Sequence, residues 1–264
     1  MLGVIPRCAR LNALADNLLL VKQPDSATAE AFRTVRTSLA LLGKKAGYKT
    51  FLFTSATNSE GKSFCAINCA VAFAQQGLKT LLINADRHSP SIDGIFFGEA
   101  PMKGLSDTLA RQTDLDRATL PTSIDNLSLL CAGSRRHTPA ELLASDGLGR
   151  LMMKEAMQKF DRVVVDSSPV ETVSDTLLLA ANMQAICLVI STQTPAETVS
   201  QTVRKLSDTD TTLAGFIFNH APRHRGAGYG YRFFKAALAS AKANLCKGAS
   251  KPPPKPPRPV LQDL

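Results

Sequence analysis

A Gly-Lys-Ser triplet at residues 61–63 stands where an apolar run, 50–54, gives way to a longer helical pattern. Backbone N–H groups at the start of such a helix can face an anionic phosphate, and the helix dipole favours negative charge there. The usual G-x-x-x-x-G-K-[ST] pattern would have its first glycine at position 56, where this chain has Ala56. On the triplet alone, a solvated loop would be the simpler interpretation. The order of strand, loop and helix is the context that a phosphate-binding loop across 54–63 requires, and a second strand that ends in a carboxylate favours that interpretation.

Short apolar segments alternate with longer amphipathic segments over most of the chain, which is typical of a parallel sheet covered by helices. We predict strands at 50–54, 80–83, 127–131, 163–165, 186–190 and 216–218. We predict helices at 63–76, 140–160 with a break around Gly147, 172–181 and 196–207, and another at 27–42 that follows an irregular arm. Gly77 comes directly after the helix at 63–76, where a left-handed C-terminal cap would use a glycine. The expected class is α/β, with the P-loop NTPase arrangement of a central, mostly parallel sheet and helices on both faces.

Two further predicted strands are followed by acids. The apolar run 163–165 is closed by Asp166, a position from which a carboxylate can hold the Mg²⁺ hydration shell beside a phosphate loop. Asp86 follows the strand at 80–83, where an acid could ligate a metal or accept the proton of an attacking hydroxyl. An aspartate that merely caps the next helix or turn is the structural alternative. With Lys62 neutralising phosphate oxygens and Ser63 ligating the metal, these residues predict a Mg-ATP site.

Most of the basic charge lies at the C-terminal end. The formal net charge is +9, and the segment from Ala221 onward has nine Lys or Arg against one acid. A nearly neutral remainder argues against a DNA-reading domain, so no specific nucleic acid is expected as a partner. The tail is suited to an anionic membrane face or simply to solvent. Its Pro-rich run 251–259 favours an extended spacer, or alternatively an SH3-type ligand.

The compartment is indicated by the opening residues and by the cysteines. The chain opens without the apolar core of a signal peptide, and the uncharged stretch 176–196 combines helical spacing with a buried-strand pattern. Four of the six cysteines, among them Cys65 and Cys69, lie in apolar runs and are interpreted as small buried hydrophobes. Such usage fits a reducing compartment, so a cytoplasmic protein is expected.

The phosphate loop and the two acids together resemble the bacterial tyrosine kinases of capsule and exopolysaccharide synthesis. Segments 104–107, 139–143, 166–169 with Asp175, and 215–219 also resemble landmarks of that family, in the family's order, and the resemblance runs from about residue 4 to 231. It implies ATP and Mg²⁺ as cofactors, with Lys62, Asp86 and Asp166 as catalytic residues and Ser63, Asp86 and Asp166 at the metal. The residues implied in nucleotide binding are Asn58, Ser59, Glu60, Gly61, Lys62, Ser63, Phe64 and, by similarity to base-contacting residues of related ATPases, Asn219.

The helix at 27–42 resembles the E-x-x-R-x-x-R helix that joins subunits of these kinases into a ring. Glu30, Arg33 and Arg36 are three residues apart and share one helix face. On a lone helix, Glu30 and Arg33 would form only a weak intrahelical ion pair. The family phosphorylates a cluster of C-terminal tyrosines between subunits, and the corresponding residues here are Tyr229 and Tyr231.

The function implied by the resemblance is an ATP-dependent protein-tyrosine autokinase that regulates polysaccharide polymerisation and export. The implied partners are further copies of the chain in a ring, a transmembrane polysaccharide co-polymerase or adaptor, and a cognate tyrosine phosphatase. A partner or an N-terminal transmembrane region would hold the chain at the inner face of the cell membrane. The expected division is an arm at 1–26, a kinase domain at 27–222 that includes the ring helix, and a basic tail at 223–264.

The resemblance fails after the strand at 80–83. The family has an Asp-x-Asp motif there, but Asn84 takes the place of the first acid, and His88 stands where the family has arginine, with Arg87 displaced by one. An amide carries no charge and cannot take a proton near neutral pH. An ATP-binding pseudokinase or scaffold is therefore the main alternative. A partitioning-type P-loop ATPase is a weaker one, because those enzymes resemble one another in a lysine five residues before the loop lysine, where this chain has Thr57.

Overall fold

Eight strands form a single sheet in the part of the chain that the computed structural model describes, residues 1–8, 14–86, 91–98, 103–134, 146–149, 151 and 155–222. They are β1 (Gly3–Pro6), β2 (Thr50–Ser55), β3 (Thr80–Asn84), β4 (Thr119–Pro121), β5 (Leu127–Leu130), β6 (Arg162–Asp166), β7 (Ala185–Ser191) and β8 (Thr212–Ala221). Their order across the sheet is β1-β8-β7-β2-β6-β3-β5-β4. Neighbouring strands are parallel except for β4 and β5, which pair antiparallel at one edge.

The described helices connect these strands and cover the sheet. They are α1 (Leu19–Lys22), α2 (Ala27–Ala46), α3 (Lys62–Ala74), α4 (Ser91–Phe97), α5 (Leu105–Leu109), α6 (Leu115–Ala118), α7 (Asp146–Gly149), α8 (Met157–Lys159), α9 (Asp175–Ala181) and α10 (Ala196–Ser207), with a short 3-10 helix at Leu14–Asn17. Ser26 begins α2 as a side-chain cap, since its Oγ accepts the N–H of Ala29 over 3.1 Å. Gly47, with φ 73°, ends the same helix.

Two apolar cores lie on opposite faces of the sheet. Phe51 and Phe53 of β2 pack in the core that contains α2 and α3, whereas Leu52 packs in the core that contains α9 and α10. Alternate residues of one strand point to opposite faces, so a strand that is buried throughout must be covered on both. The predicted α/β class, with a mostly parallel sheet and helices on both faces, is confirmed.

Most of the predicted elements are present with small shifts at their ends. The helix predicted at 196–207 has those bounds, and the stretch 176–196 is divided between α9 and β7 as expected. The helix predicted from residue 172 begins only at Asp175, because the N–H groups of Thr172 and Val173 bond back to Pro169 O in a turn. Gly147 lies inside α7, and the residues on either side of that short helix fall outside the described ranges, so the break predicted around Gly147 stays a prediction.

The expectation of an irregular arm before α2 is wrong in part. Residues of the arm form β1, which adds to the edge of the sheet by pairing with β8. Leu2, Ile5, Leu19 and Leu20 are buried and belong to the core on the α2 and α3 face. A strand of four residues is too short to show a clear alternating pattern, which is why the sequence did not reveal it.

Several sequence-based expectations fall on residues outside the described ranges. These are the segment 139–143, most of the helix predicted at 140–160, Arg87, His88, and the whole basic tail with Tyr229 and Tyr231. Within the described ranges, Gly77 has the left-handed φ of 81° that its predicted capping position requires. None of the described helices has the length and hydropathy that a membrane span needs.

Candidate functional site

The loop between β2 and α3 is shaped by one glycine. Gly61 has φ 84° and immediately precedes α3. A Cβ built on Gly61 would overlap Asn219 Nδ2, so this position requires glycine both for its backbone conformation and for its space. The first N–H groups of a helix lack intrahelical acceptors and carry partial positive charge. The start of α3 thus offers a place for an anion beside Lys62 and Ser63.

Two acids meet this helix start from the ends of neighbouring strands. Asp166 ends β6, which lies between β2 and β3, and its Oδ2 accepts from Ser63 Oγ over 2.6 Å. Asp86 follows β3, and its Oδ2 lies 2.6 Å from Lys62 Nζ. The structure therefore brings together the four residues that the sequence assigned to metal and phosphate chemistry, Lys62, Ser63, Asp86 and Asp166.

Burial strongly perturbs Asp166. Its pKa is raised to about 7, chiefly by its complete burial and also by the nearby Asp86, while Lys62 and the Ser63 hydrogen bond act in the opposite direction. Its Oδ1 is buried and has no hydrogen-bond partner among the described residues. An orphaned carboxylate oxygen beside a serine hydroxyl fits a hard divalent cation, because Mg²⁺ takes oxygen ligands and would compensate the buried charge. These residues thus fit the expected metal.

Asp86 is held in place by contacts on both of its sides. Ser168 Oγ donates to Asp86 Oδ1 over 2.9 Å. The backbone N–H of Asp86 donates to Asn84 Oδ1 over 3.2 Å. Asn84 is itself fully buried, and its Nδ2 donates to Asp93 Oδ1 over 2.7 Å. Asn84, the residue that departs from the family motif, is therefore part of the support of Asp86.

The other residues assigned to nucleotide binding have distinct surroundings. Asn58 and Ser59 are exposed at the loop, where Ser59 has φ 63°. Glu60 is 3% exposed and turns inward, where its carboxylate accepts from the N–H of Thr57 and from the hydroxyl of Thr194.

Two residues predicted to touch the nucleotide also have contacts within the protein. Asn219 Nδ2 donates to Glu60 O over 2.8 Å, so its amide supports the loop from the end of β8. The ring of Phe64 meets that of Phe32 edge to face at 5.4 Å, which joins α3 to α2.

The predicted ring helix shows an ion pair within the chain. Arg33 Nη1 lies 3.0 Å from Glu30 Oε2, and Arg33 Nη2 donates to Pro24 O over 2.8 Å. Arg36 Nε, by contrast, is buried without a hydrogen-bond partner among the described residues. Burial, followed by the nearby Arg33, lowers the pKa of Arg36. The intrahelical ion pair that the sequence allowed is thus present between Glu30 and Arg33, whereas Arg36 Nε has no partner among the described residues.

Sequence reasoning missed three contributors to the site. Asp93 is buried on α4, although an acid inside the apolar segment 91–97 already hints at a buried polar partner. Ser168 was noticed only as part of the segment 166–169, and Thr194 follows β7 without any motif. The contacts of Ser168 with Asp86 and of Thr194 with Glu60 join residues far apart in sequence, so only the folded sheet reveals them.

The chain is similar to known proteins both in sequence and in structure. The chain is 33% identical over 216 residues to the tyrosine-protein kinase YwqD of Bacillus subtilis (strain 168), covering 81% of this chain and 90% of that protein. The kinase domain of the Escherichia coli tyrosine kinase ETK superposes with a TM-score of 0.77 at 25% identity, covering 86% of this chain and 92% of that one. A search against protein-family models found no match. The septum site-determining protein MinD of Pyrococcus horikoshii, at 18% identity and a TM-score of 0.54, shares the fold alone.

Proposed function

The chain belongs to the bacterial tyrosine kinases, and on that premise we propose that it is an ATP-dependent protein-tyrosine autokinase that regulates the polymerisation and export of a capsular or extracellular polysaccharide. The observation that carries this proposal is the meeting of Lys62, Ser63, Asp86 and Asp166 at the ends of three adjacent parallel strands. Relatives named as tyrosine-protein kinases support the reaction class.

The chain's own residues divide the work of phosphoryl transfer. The N–H groups at the start of α3 and the Lys62 ammonium bind phosphate oxygens. Ser63, Asp86 and Asp166 would hold Mg²⁺, which would neutralise the charge that develops on the phosphoryl group. Asp86 is within reach of Lys62 and is positioned to accept the proton of an attacking tyrosine hydroxyl. Asn58, Ser59, Phe64 and Asn219 complete the nucleotide site in this proposal.

Transfer takes place between subunits in this account. Glu30, Arg33 and Arg36 form contacts that close a ring-like homo-oligomer, in which the tail of one subunit reaches the site of its neighbour. Tyr229 and Tyr231 are the acceptors, and a cognate phosphatase reverses the reaction. A transmembrane polysaccharide co-polymerase or adaptor holds the assembly at the inner face of the cell membrane. Arg36 supports this part, because its buried Nε has no hydrogen-bond partner among the described residues.

An ATP-binding pseudokinase or scaffold of the same system is the second candidate. Asn84, in place of an acid, is the observation that favours it. A partitioning-type ATPase is less well supported, since its resemblance to this chain is confined to the fold.

Incubation of the full chain with Mg-ATP, with its membrane partner present, tests the kinase proposal. We expect phosphotyrosine at Tyr229 and Tyr231, detected by mass spectrometry, and none in Lys62→Ala or in the double variant Tyr229→Phe/Tyr231→Phe. Tight Mg-ATP binding with no phosphotyrosine under these conditions would favour the scaffold instead.

A further inference from the structure

A second buried carboxylate lies beside the residue that departs from the family motif. Asn84 ends β3 with no exposed surface, and Asp93 of α4 is 2% exposed. Asn84 Nδ2 donates to Asp93 Oδ1 over 2.7 Å. Asp93 Oδ2 accepts from the backbone N–H of Ala132, just beyond β5, over 3.2 Å. The Asn84–Asp93 pair therefore joins α4 and the ends of two strands.

The direction of these hydrogen bonds explains why position 84 is an amide. A carboxylate can only accept, so a residue that faces Asp93 must present a donor, and the NH₂ of Asn84 does so. A carboxylate at position 84 would place two acceptors about 2.7 Å apart in a buried site, with no donor between them. The pair thus contains one carboxylate, which belongs to Asp93 on α4, while the residue on β3 is the amide Asn84.

The same amide connects Asp93 to the acid of the site. Asn84 Oδ1 accepts the N–H of Asp86, and Asp86 Oδ2 lies 2.6 Å from Lys62 Nζ. A continuous series of contacts therefore runs from Ala132 through Asp93 and Asn84 to Asp86. Loss of any member would leave a buried polar group unpaired, which is costly where water is excluded.

We propose that Asn84 and Asp93 act as one unit, in which Asp93 supplies the carboxylate that Asn84 lacks and Asn84 transmits its position to Asp86. Asp93 is a positioning residue in this scheme and does not touch the nucleotide. The inference rests on the proposed Mg-nucleotide site and explains how that site tolerates Asn84. It follows that Asn84→Asp alone does not restore the family's site, because the new acid faces Asp93.

Exchanging the side chains of Asn84 and Asp93 tests whether the two residues act as one unit. The variants are Asn84→Asp, Asp93→Asn and the double exchange Asn84→Asp/Asp93→Asn, each measured by calorimetric titration with ADP in the presence and absence of Mg²⁺, and by thermal unfolding without ligand. We expect each single variant to weaken Mg-ADP binding about tenfold and to lower the melting temperature. The double exchange should return Mg-ADP affinity to within about threefold of the parent, because one donor and one carboxylate again face each other.

A control variant distinguishes a role of the pair in positioning Asp86 from a role in stability alone. Asp116→Asn removes an acid whose partner Lys159 is exposed, so this variant should change neither the Mg-ADP affinity nor the melting temperature. Single variants that lower the melting temperature but leave the ratio of ADP affinities with and without Mg²⁺ unchanged would overturn the proposal. So would a double exchange that binds no better than the weaker single variant, or an Asn84→Asp protein that binds Mg-ADP as tightly as the parent.

The exchange experiment measures Mg-ADP binding and thermal stability, so its outcome does not depend on the kinase reaction. If the parent binds Mg-ADP but forms no phosphotyrosine, the proposed kinase function fails while the exchange experiment still decides the role of the pair. If phosphotyrosine forms but the double exchange gives no recovery, the kinase function stands and the inference fails.

Discussion

Lys62 Nζ lies 2.6 Å from Asp86 Oδ2, and the two side chains are only 13% and 3% exposed. The cation that is proposed to bind phosphate is thus paired with the acid proposed to accept a proton. The two groups hold each other at the start of α3. Burial makes this ion pair sensitive to the loss of either partner.

Removal of Lys62 should therefore affect both stability and binding. We expect Lys62→Ala to lower the free energy of unfolding by about 3 kcal/mol, because Asp86 stays buried without the Lys62 cation. Mg-ATP binding should be lost as well. Urea denaturation measures the first effect and titration calorimetry the second. Lys159→Ala is the matched control: its pair with Asp116 is 42% and 73% exposed, so its loss should cost less than about 1 kcal/mol. Equal losses of stability would contradict the argument.

Asp166 should give the nucleotide-free protein a pH-dependent stability. Its folded pKa of about 7 lies above its ordinary value, so its protonated form favours folding; that contribution is complete below the ordinary pKa and is lost as pH rises through 7. Asp166→Asn mimics the protonated form. Without Mg²⁺, we expect the variant to exceed the parent by about 2 kcal/mol at pH 8 and by much less at pH 5, measured by thermal unfolding.

The same substitution should harm the function that the buried charge serves. The amide of Asp166→Asn would lack the charge needed to hold Mg²⁺, so addition of the metal with ADP should stabilise the parent and leave the variant nearly unchanged. A stability difference that is the same at both pH values would show that burial of the charge is not its cause.

Gly61 should tolerate no side chain. Gly61→Ala places a Cβ against Asn219 Nδ2 at φ 84°, so we expect Mg-ADP binding to weaken at least about tenfold as the loop moves. Gly77→Ala is a matched control, because Gly77 has φ 81° but a Cβ there would meet nothing within 4 Å. It should cost about 1 kcal/mol of stability and leave binding intact. If the two variants bind alike, the contact with Asn219 does not shape the loop.

Assembly should depend more on Arg36 than on Arg33. Arg33 already pairs with Glu30 in its own chain, whereas Arg36 Nε has no partner among the described residues. We expect Arg36→Ala to shift the protein to smaller species in analytical ultracentrifugation, with a weaker effect from Arg33→Ala and no change in Mg-ADP affinity for either. A parent protein that is monomeric at every concentration tested would remove the ring from the proposal.

The sequence was most informative where apolar pattern and local motif coincide. β2, α3 and β6 follow from buried runs, from Gly61 before a helix, and from Asp166 at the end of a strand. Because the carboxyl ends of parallel strands share one edge of a sheet, the sequence alone predicts that Lys62, Ser63 and Asp166 meet.

Tertiary pairing accounts for what the sequence did not reveal. β1 is four residues long and is stabilised by β8, which lies near the other end of the described chain, so no local pattern marks it. Asp93 contacts Asn84 through the fold of α4 against β3, and the inward turn of Glu60 depends on Thr194 beyond β7. Such contacts leave no periodic pattern in the sequence. The sequence therefore showed only that Asn84 replaces an acid, and not that Asp93 lies beside it.

A mixture of two complementary variants tests the central claim most directly. One chain carries Lys62→Ala with intact tyrosines and a mass tag, and the other carries Tyr229→Phe/Tyr231→Phe with an intact site. Incubated together with Mg-ATP and the membrane partner, they should yield phosphotyrosine on the tagged Lys62→Ala chain, although neither chain alone becomes labelled. A parent protein that labels itself while the mixture stays unlabelled would contradict transfer between subunits, and a parent that never forms phosphotyrosine would contradict the kinase function itself.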